Sequence, residues 1–257
     1  MKGFSRRPLL AVDAQGYGRS TPLRQHWIQE AVPRVLDEAA EEVGFDRAAW
    51  LTQVAGDSAL SILPVEESEP RLVDDFMRHL DSAIQGVNDG RQPDAWLQLR
   101  AAVHHGPVTL AASGFSDRGP VAVSRILNSR PLRQALRLSA GARLAVAVSR
   151  EVFNTVVVSD YTTLRAAEFR EVRVREKEFD DTAWIRVLGG DVHGLGDLGD
   201  PGGDEPPPGD DPPPRGGPAP GGTPGSGPGP APGQQAVQTF NATVEGPVIG
   251  IQNNPRP

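Results

Sequence analysis

The chain contains no cysteine, which excludes disulfides, iron–sulfur clusters and thiolate zinc sites. Lysine is almost missing as well: it occurs only at Lys2 and Lys177, so the basic charge is nearly all arginine. Together with the richness in Ala, Gly and Pro, this bias points to a GC-rich, bacterial coding sequence. No apolar run approaches the roughly 18 residues needed to span a bilayer. The N-terminus, MKGFSRRPLLAVD, has too short an apolar stretch for a secretory signal. The expectation is a cytoplasmic protein with no membrane partner.

Large apolar side chains become scarce between Gly190 and Gln235, where DEPPPGDDPPPRGG runs into PAPGGTPGSGPGPAPG. Such a stretch buries too little surface to offset its ordering entropy, and is expected to be a disordered linker. Three segments follow: a globular domain at 1–189, a linker at 190–235 and a short tail at 236–257. Within the linker Asp191, Asp197, Asp200, Asp204, Glu205, Asp210 and Asp211 face only Arg215, which accounts for most of the net charge of −7. The globular part is therefore near neutral and lacks the basic footprint of a nucleic-acid binder.

Within the domain, Pro8–Asp13 reads as a buried strand that ends at Asp13 and runs into the turn-prone Gln15-Gly16-Tyr17-Gly18. Pro22–Val43 reads as a helix with Ile28, Val32, Val35, Leu36 and Ala39 on one face, kinked or broken at Pro33. Trp50–Ala55 and Ala59–Leu63 form a hairpin with Asp57 at its tip, and Pro70–Val87 a second helix. A strand at Leu97–Val103 ends at His104-His105-Gly106-Pro107, and a helix spans Val121–Leu138 with an interruption near Pro131. Arg143–Val148 reads as a strand, and Ser149–Val157 as a short helix capped by Ser149. Phe169–Val174 and Ala183–Val187 close as strands. Hairpins mixed with helices, without regular βαβ spacing, indicate an α+β fold with a ferredoxin-like or palm-type sheet covered on one face.

Three segments, taken in order, resemble the class III adenylate/guanylate cyclase catalytic domain, in a divergent branch of actinobacterial type. LLAVDAQGYGRS is similar to that family's strand followed by Asp-x-x-Gly-Phe/Tyr, VAGDSALSILP to its Gly-Asp hairpin, and LRAAVHHGPV to its Arg-x-x-hydrophobic-His-x-Gly strand. SRILNSRPLRQAL, LAVAVSREVFNTVV and FREVRVREKE extend the likeness to residue 188. The resemblance implies that a nucleoside triphosphate is cyclised by attack of its 3′-hydroxyl on the α-phosphorus, with expulsion of pyrophosphate. Two divalent cations, Mg²⁺ or Mn²⁺, suit such an all-oxygen site. By the resemblance Asp13 and Asp57 are their carboxylate ligands and the Ala14 carbonyl a further one. The amides from Gln15 through Gly16, Tyr17 and Gly18 then face the triphosphate as a backbone nest. Asp13 also fits a plain turn cap, and Asp57 an ordinary turn residue.

The chain departs from that pattern at two places. Gln53 stands where the family carries a purine-reading Lys, so the base is not readable, and its acidic partner falls nearest to Asp117. Arg125 matches the family's transition-state Arg, but Val121 occupies the position of its Asn. Arg125 also fits a surface ion pair. The resemblance further implies a homodimer, since class III sites form between two subunits. His104 and His105 are adjacent on a strand and so point to opposite faces, which argues against a shared metal. Trp27, Trp50, Trp96 and Trp184 read as packing residues.

The tail alternates at Phe240, Ala242 and Val244, breaks at Gly246-Pro247 and continues as VIGIQNN. Short β-prone segments of low charge stack as in-register strands. The tail is loosely similar to amyloid-type signalling motifs of bacterial and fungal defence proteins; it also fits an edge strand added to a partner's sheet, or a segment with no role. A linker of 46 residues spans about 35–40 Å and keeps the tail available to a protein partner. Two functions stand side by side: a metal-dependent cyclase, and a degenerate cyclase-fold sensor or scaffold that binds nucleotide.

Overall fold

The computed structural model describes residues 4–111 and 114–198. The remainder of the linker and the tail at 236–257 lie outside the described residues. One sheet organises the domain, with strand order β2-β3-β1-β4-β6-β8-β7 and β5 paired to β4. Its strands are β1 (Phe4–Ala14), β2 (Leu51–Ala55), β3 (Ser58–Ile62), β4 (Leu99–Ala111), β5 (Gly114–Ser116), β6 (Leu144–Ser149), β7 (Arg170–Glu176) and β8 (Phe179–Val187). The helices are α1 (Pro22–Glu42), α2 (Glu69–Arg71), α3 (Met77–Asn88), α4 (Arg118–Leu127), α5 (Arg130–Leu138) and α6 (Arg150–Val152). A π-helical turn at Leu72–Phe76 joins α2 to α3, and another at Phe153–Val157 follows α6.

Alternation along β1 builds both sides of the core. Leu10 and Val12 pack with Ile28, Val32, Leu36, Leu80 and Ile84 of α1 and α3. Leu9 and Ala11 pack on the other side with Val123 and Ile126 of α4 and Leu132 and Leu136 of α5. The sheet is therefore covered on both faces, and the expectation of a single covered face fails. The residues following Pro120 and Pro131 carry a buried stripe that needed a second apolar surface to pack on.

Three local departures have physical causes. α1 runs unbroken through Pro33, because Pro33 sits on the solvent side, where water can satisfy the freed carbonyl, while Val32, Val35 and Leu36 hold the buried side. β4 does not stop at His104 but continues past Gly106 and Pro107, paired residue by residue with β1. The break expected near Pro131 comes at Asn128–Ser129, where the Ser129 hydroxyl caps α5 through the Leu132 amide at 3.4 Å. The Ser149 hydroxyl likewise accepts from the Val152 amide, as its position at the helix start implied.

The folded part also runs past residue 189. Val192 and Leu198 are buried in the α4–α5 core, and the Arg170 guanidinium holds the carbonyls of Leu195 and Gly196. The first nine residues of the compositional linker are thus docked. They carry apolar side chains at a spacing that a count of Pro, Gly and Asp averages away. No helix among the described residues is long and apolar enough to cross a membrane.

Candidate active site

The end of β1 and the tip of the β2–β3 hairpin meet because β3 pairs with β1, Val12 opposite Ala59. This register carries Asp57 to the Asp13 end, where the Ala14 amide donates to Asp57 Oδ2 at 3.3 Å. The Tyr17 ring sits over Gly56 at the same tip, so that a Cβ there would lie 3.6 Å from it. Gly56 has φ +62, which a side chain would strain. Asp13, Ala14, Tyr17 and Asp57 therefore come together in one cluster. Of the amides expected to face the triphosphate, that of Gln15 donates to the Gln98 carbonyl at 2.9 Å instead.

The residue that dominates this cluster was not foreseen. β4 runs antiparallel to β1 with Asp13 directly opposite Arg100. The Arg100 guanidinium grips both carboxylate oxygens of Asp13, with Nε 2.8 Å from Oδ1 and Nη2 on Oδ2. Asp13 is only 7% exposed. Burial pushes its carboxyl up to about 6, Arg100 works against that rise, and the nearby Asp57 charge adds to it. Asp57 is also raised by burial, against the pull of its own backbone amide, the Ala14 amide and Arg100. Arg100 retains a buried Nη1 without a hydrogen-bond partner. The sequence signal was present in LRAAVHHGPV, but only the strand register turns it into a pair.

The other predicted residues take separate places. Gln53 lies on the exposed edge strand β2, and its side chain crosses β5 so closely that a Cβ on Gly114 would sit 3.1 Å from Oε1. Asp117 caps α4, accepting from the Arg118 amide at 2.7 Å and from the Thr109 hydroxyl at 3.1 Å. Arg125 projects from α4 to Glu178 in the β7–β8 turn at 3.2 Å and keeps a buried Nε without a partner. Val121, one turn earlier on α4, is 46% exposed and offers no hydrogen bond.

His104 and His105 take different partners. His104 Nδ1 shares a hydrogen bond with the Ser149 hydroxyl at 2.9 Å, and burial lowers its pKa to about 4. His105 pairs instead with Glu69 at 2.8 Å. Trp50 packs among Phe45 and Phe76, and Trp184 stacks on Phe153.

The sequence matches no family model and no curated protein. Solved structures do match. The guanylyl cyclase Cya2 superposes with a TM-score of 0.50 over 74% of this chain and 94% of its own, at 14% identity. The fold is that of a class III nucleotidyl cyclase catalytic domain. An adenylate/guanylate cyclase/hydrolase from Silicibacter pomeroyi matches with the same TM-score of 0.50, at 17% identity over 71% of this chain and 96% of its own. At these identities the likeness extends to the cyclase fold, and the chemistry rests on the residues themselves.

Those residues set a condition on any metal. Among the described residues no cluster of three or more His, Cys, Asp or Glu side chains is arranged to hold one. Asp13 and Asp57 supply two hard oxygen donors, which suit Mg²⁺ or Mn²⁺ when phosphate oxygens and water complete the shell. The cyclase-fold site therefore fits such a cation together with a phosphorylated ligand, provided Arg100 releases Asp13.

Proposed function

We propose that this domain is a nucleotide-cyclising enzyme that turns a nucleoside triphosphate into a 3′,5′-cyclic nucleotide and pyrophosphate. The observation that carries the reading is the convergence of Asp13 and Asp57 on one another beside a partly unsatisfied Arg100. Asp13, Asp57 and the Ala14 carbonyl would hold Mg²⁺ or Mn²⁺, whose positive charge would activate the 3′-oxygen and stabilise the leaving phosphates. Arg100, released from Asp13, turns its fork-shaped guanidinium to phosphate oxygens. The amides of Gly16, Tyr17 and Gly18 face the same anion. Arg125 supplies a donor for charge that builds on the reacting phosphate. Gln53, able to donate and accept, contacts the base edge. The lack of a hydrogen-bonding group at Val121 sets a slow rate, since one missing donor costs roughly 10²–10³ in turnover.

The site is completed in a homodimer. Val54 on the edge strand β2 and Val121 on α4 are 63% and 46% exposed, apolar positions next to Gln53 and Arg125 that a second copy would cover. Asp117, on this reading, orients the start of α4 and the substrate-facing end of β5. The protein acts in the cytoplasm of a bacterium, and its tail binds a protein partner or other copies of itself.

A second reading has its own support. Both oxygens of Asp13 are occupied by Arg100, as in a site that binds nucleotide without turnover and acts as a sensor or scaffold. The full-length protein incubated with each of four nucleoside triphosphates and Mn²⁺ separates the two. A cyclic product that disappears in Asp57→Ala establishes the enzyme. Tight nucleotide binding without product at high protein concentration establishes the sensor.

A further inference from the structure

We propose that the side chains of Tyr17 and Gln29 form a latch that positions Asp57, tying the hairpin tip that carries it to α1 and to the turn after β1. The inference rests on the nucleotide-site reading above and gives a role to two side chains which that reading does not use.

The pairing of strands alone leaves Asp57 loosely placed. The last residue pair joining the hairpin to β1 is Val12 with Ala59. Asp57 lies two residues beyond it, in a turn closed by Ala55 and Ser58. β2 is the outermost strand, so the sheet supports the hairpin from one side only. The Ala14 amide reaches Asp57 from that side at 3.3 Å, a long contact for such a bond. A further support is the Tyr17 ring, whose Cε1 and hydroxyl oxygen lie 3.6 and 3.8 Å from where a Gly56 Cβ would stand.

Tyr17 is itself fixed by α1 and by its own turn. Its hydroxyl accepts a hydrogen bond from the Gln29 side-chain amide. Its carbonyl accepts from the Gln25 side chain at 3.1 Å and from the Ser20 amide at 2.9 Å. Gln25 and Gln29 are four residues apart and share one face of α1. The Gly16 carbonyl accepts from the Arg19 amide at 3.2 Å and the Ser20 hydroxyl at 3.0 Å. In a planar trans peptide the N–H points opposite to the carbonyl of the same unit. Pinning the Gly16 and Tyr17 carbonyls therefore also aims the N–H groups of Tyr17 and Gly18.

A ring that only filled space would need no hydroxyl bonded to a helix. With that bond, one side chain joins α1, the turn and the hairpin, so that Asp57 and the N–H groups of Tyr17 and Gly18 keep one spacing. Such a spacing matters to chemistry, since a misplacement of about 1 Å costs roughly a hundredfold in rate. The hydroxyl bond is what keeps a cation held by Asp57 in line with phosphates held by the turn.

The test compares the full-length wild type with Tyr17→Phe, Gln29→Leu, the double variant and Gln29→Glu, by amide hydrogen exchange and by turnover with Mn²⁺ and a nucleoside triphosphate. Tyr17→Phe keeps the ring over Gly56 and loses the link to α1. Each single loss is expected to speed exchange at the Ala14 and Ser58 amides about fivefold, as for one hydrogen bond. It should also raise the Mn²⁺ concentration for half-maximal turnover about fivefold, and move the nucleotide KM at saturating Mn²⁺ less than twofold. The double variant should be no worse than either single one, because both remove the same bond. Gln29→Glu, which can accept from the Tyr17 hydroxyl, should restore the wild-type values. If Tyr17 serves packing alone, Tyr17→Phe and Gln29→Leu leave the exchange and the Mn²⁺ requirement unmoved, and that result overturns the proposal. Additive losses in the double variant overturn it as well. A wild type that neither binds nor cyclises any nucleoside triphosphate sinks the nucleotide-site reading and this role with it. A wild type that turns over nucleotide with a Mn²⁺ requirement indifferent to both variants sinks the latch alone.

Discussion

Two buried titrating residues, Asp13 and His104, pull stability in opposite directions with pH. Burial raises the Asp13 carboxyl to about 6 in the fold, while in the unfolded chain it titrates near 3.9. The unfolded state thus loses its proton first, and the stability Asp13 contributes below about pH 4 is lost as pH rises through 6. Burial lowers His104 to about 4, against about 6.5 unfolded. Its contribution is present above pH 6.5 and is lost as pH falls through 4. Each shift corresponds to about 3 kcal/mol, and between pH 4 and 6 the two oppose one another. The melting temperature of the wild type is therefore expected to vary little over that window. His104→Gln removes one side of the balance and should become more stable on acidification from pH 6 to 4, as scanning calorimetry would show. A steeper acid loss in the variant than in the wild type would contradict the assignment. At this scale, Asp13 and Asp57 were legible because short motifs name them. Arg100 was not, because its meaning depends on a strand register joining residues 87 positions apart.

Among the elements, α4 is the one whose placement matters most to the proposed chemistry, which assigns a role to its Arg125. It reaches the sheet through two glycines. A Cβ on Gly119 would come within 2.5 Å of the Pro107 carbonyl oxygen, and one on Gly106 would meet both the His104 ring and the Gly119 backbone. That contact exists only because β4 continues beyond His104, the feature that reading a strand end at His-His-Gly-Pro missed. Gly119→Ala should therefore push α4 off β4, cost about 2 kcal/mol of stability by overpacking, and reduce turnover more than nucleotide affinity. Guanidinium-chloride melts and single-turnover kinetics would test both halves. The β2–β3 hairpin, in contrast, was plain in the sequence, because alternating apolar residues flank Gly56-Asp57 and the turn chemistry fixes the tip. The second covered face of the sheet was not, since local periodicity reports that a helix has a buried side but not which surface receives it.

At the scale of the whole molecule, the composition marks where apolar residues run out but not where packing ends. Val192 and Leu198 belong to the core although the segment around them is rich in Gly and Asp. A fragment cut at residue 189 would leave an apolar strip open beside Val187, which is why assays belong on the full chain. The Arg100–Asp13 pair has a consequence for the order in which the molecule is loaded. With the negative charge of Asp13 answered from within the fold, stripping divalent cations with a chelator should leave the melting temperature unchanged. On the proposed reading, a free cation arriving by itself would have to displace a guanidinium and would gain only two side-chain carboxylates in return. One arriving already attached to a triphosphate brings its own ligands and gives Arg100 somewhere to go. Manganese alone is therefore expected to bind at least tenfold more weakly than manganese with nucleotide, each carboxylate–guanidinium contact being worth a factor of this order. Equal affinities, measured by Mn²⁺ electron paramagnetic resonance, would contradict this. On the proposed reading the resting protein is thus its own placeholder, and the nucleotide and its cation would enter as one visitor.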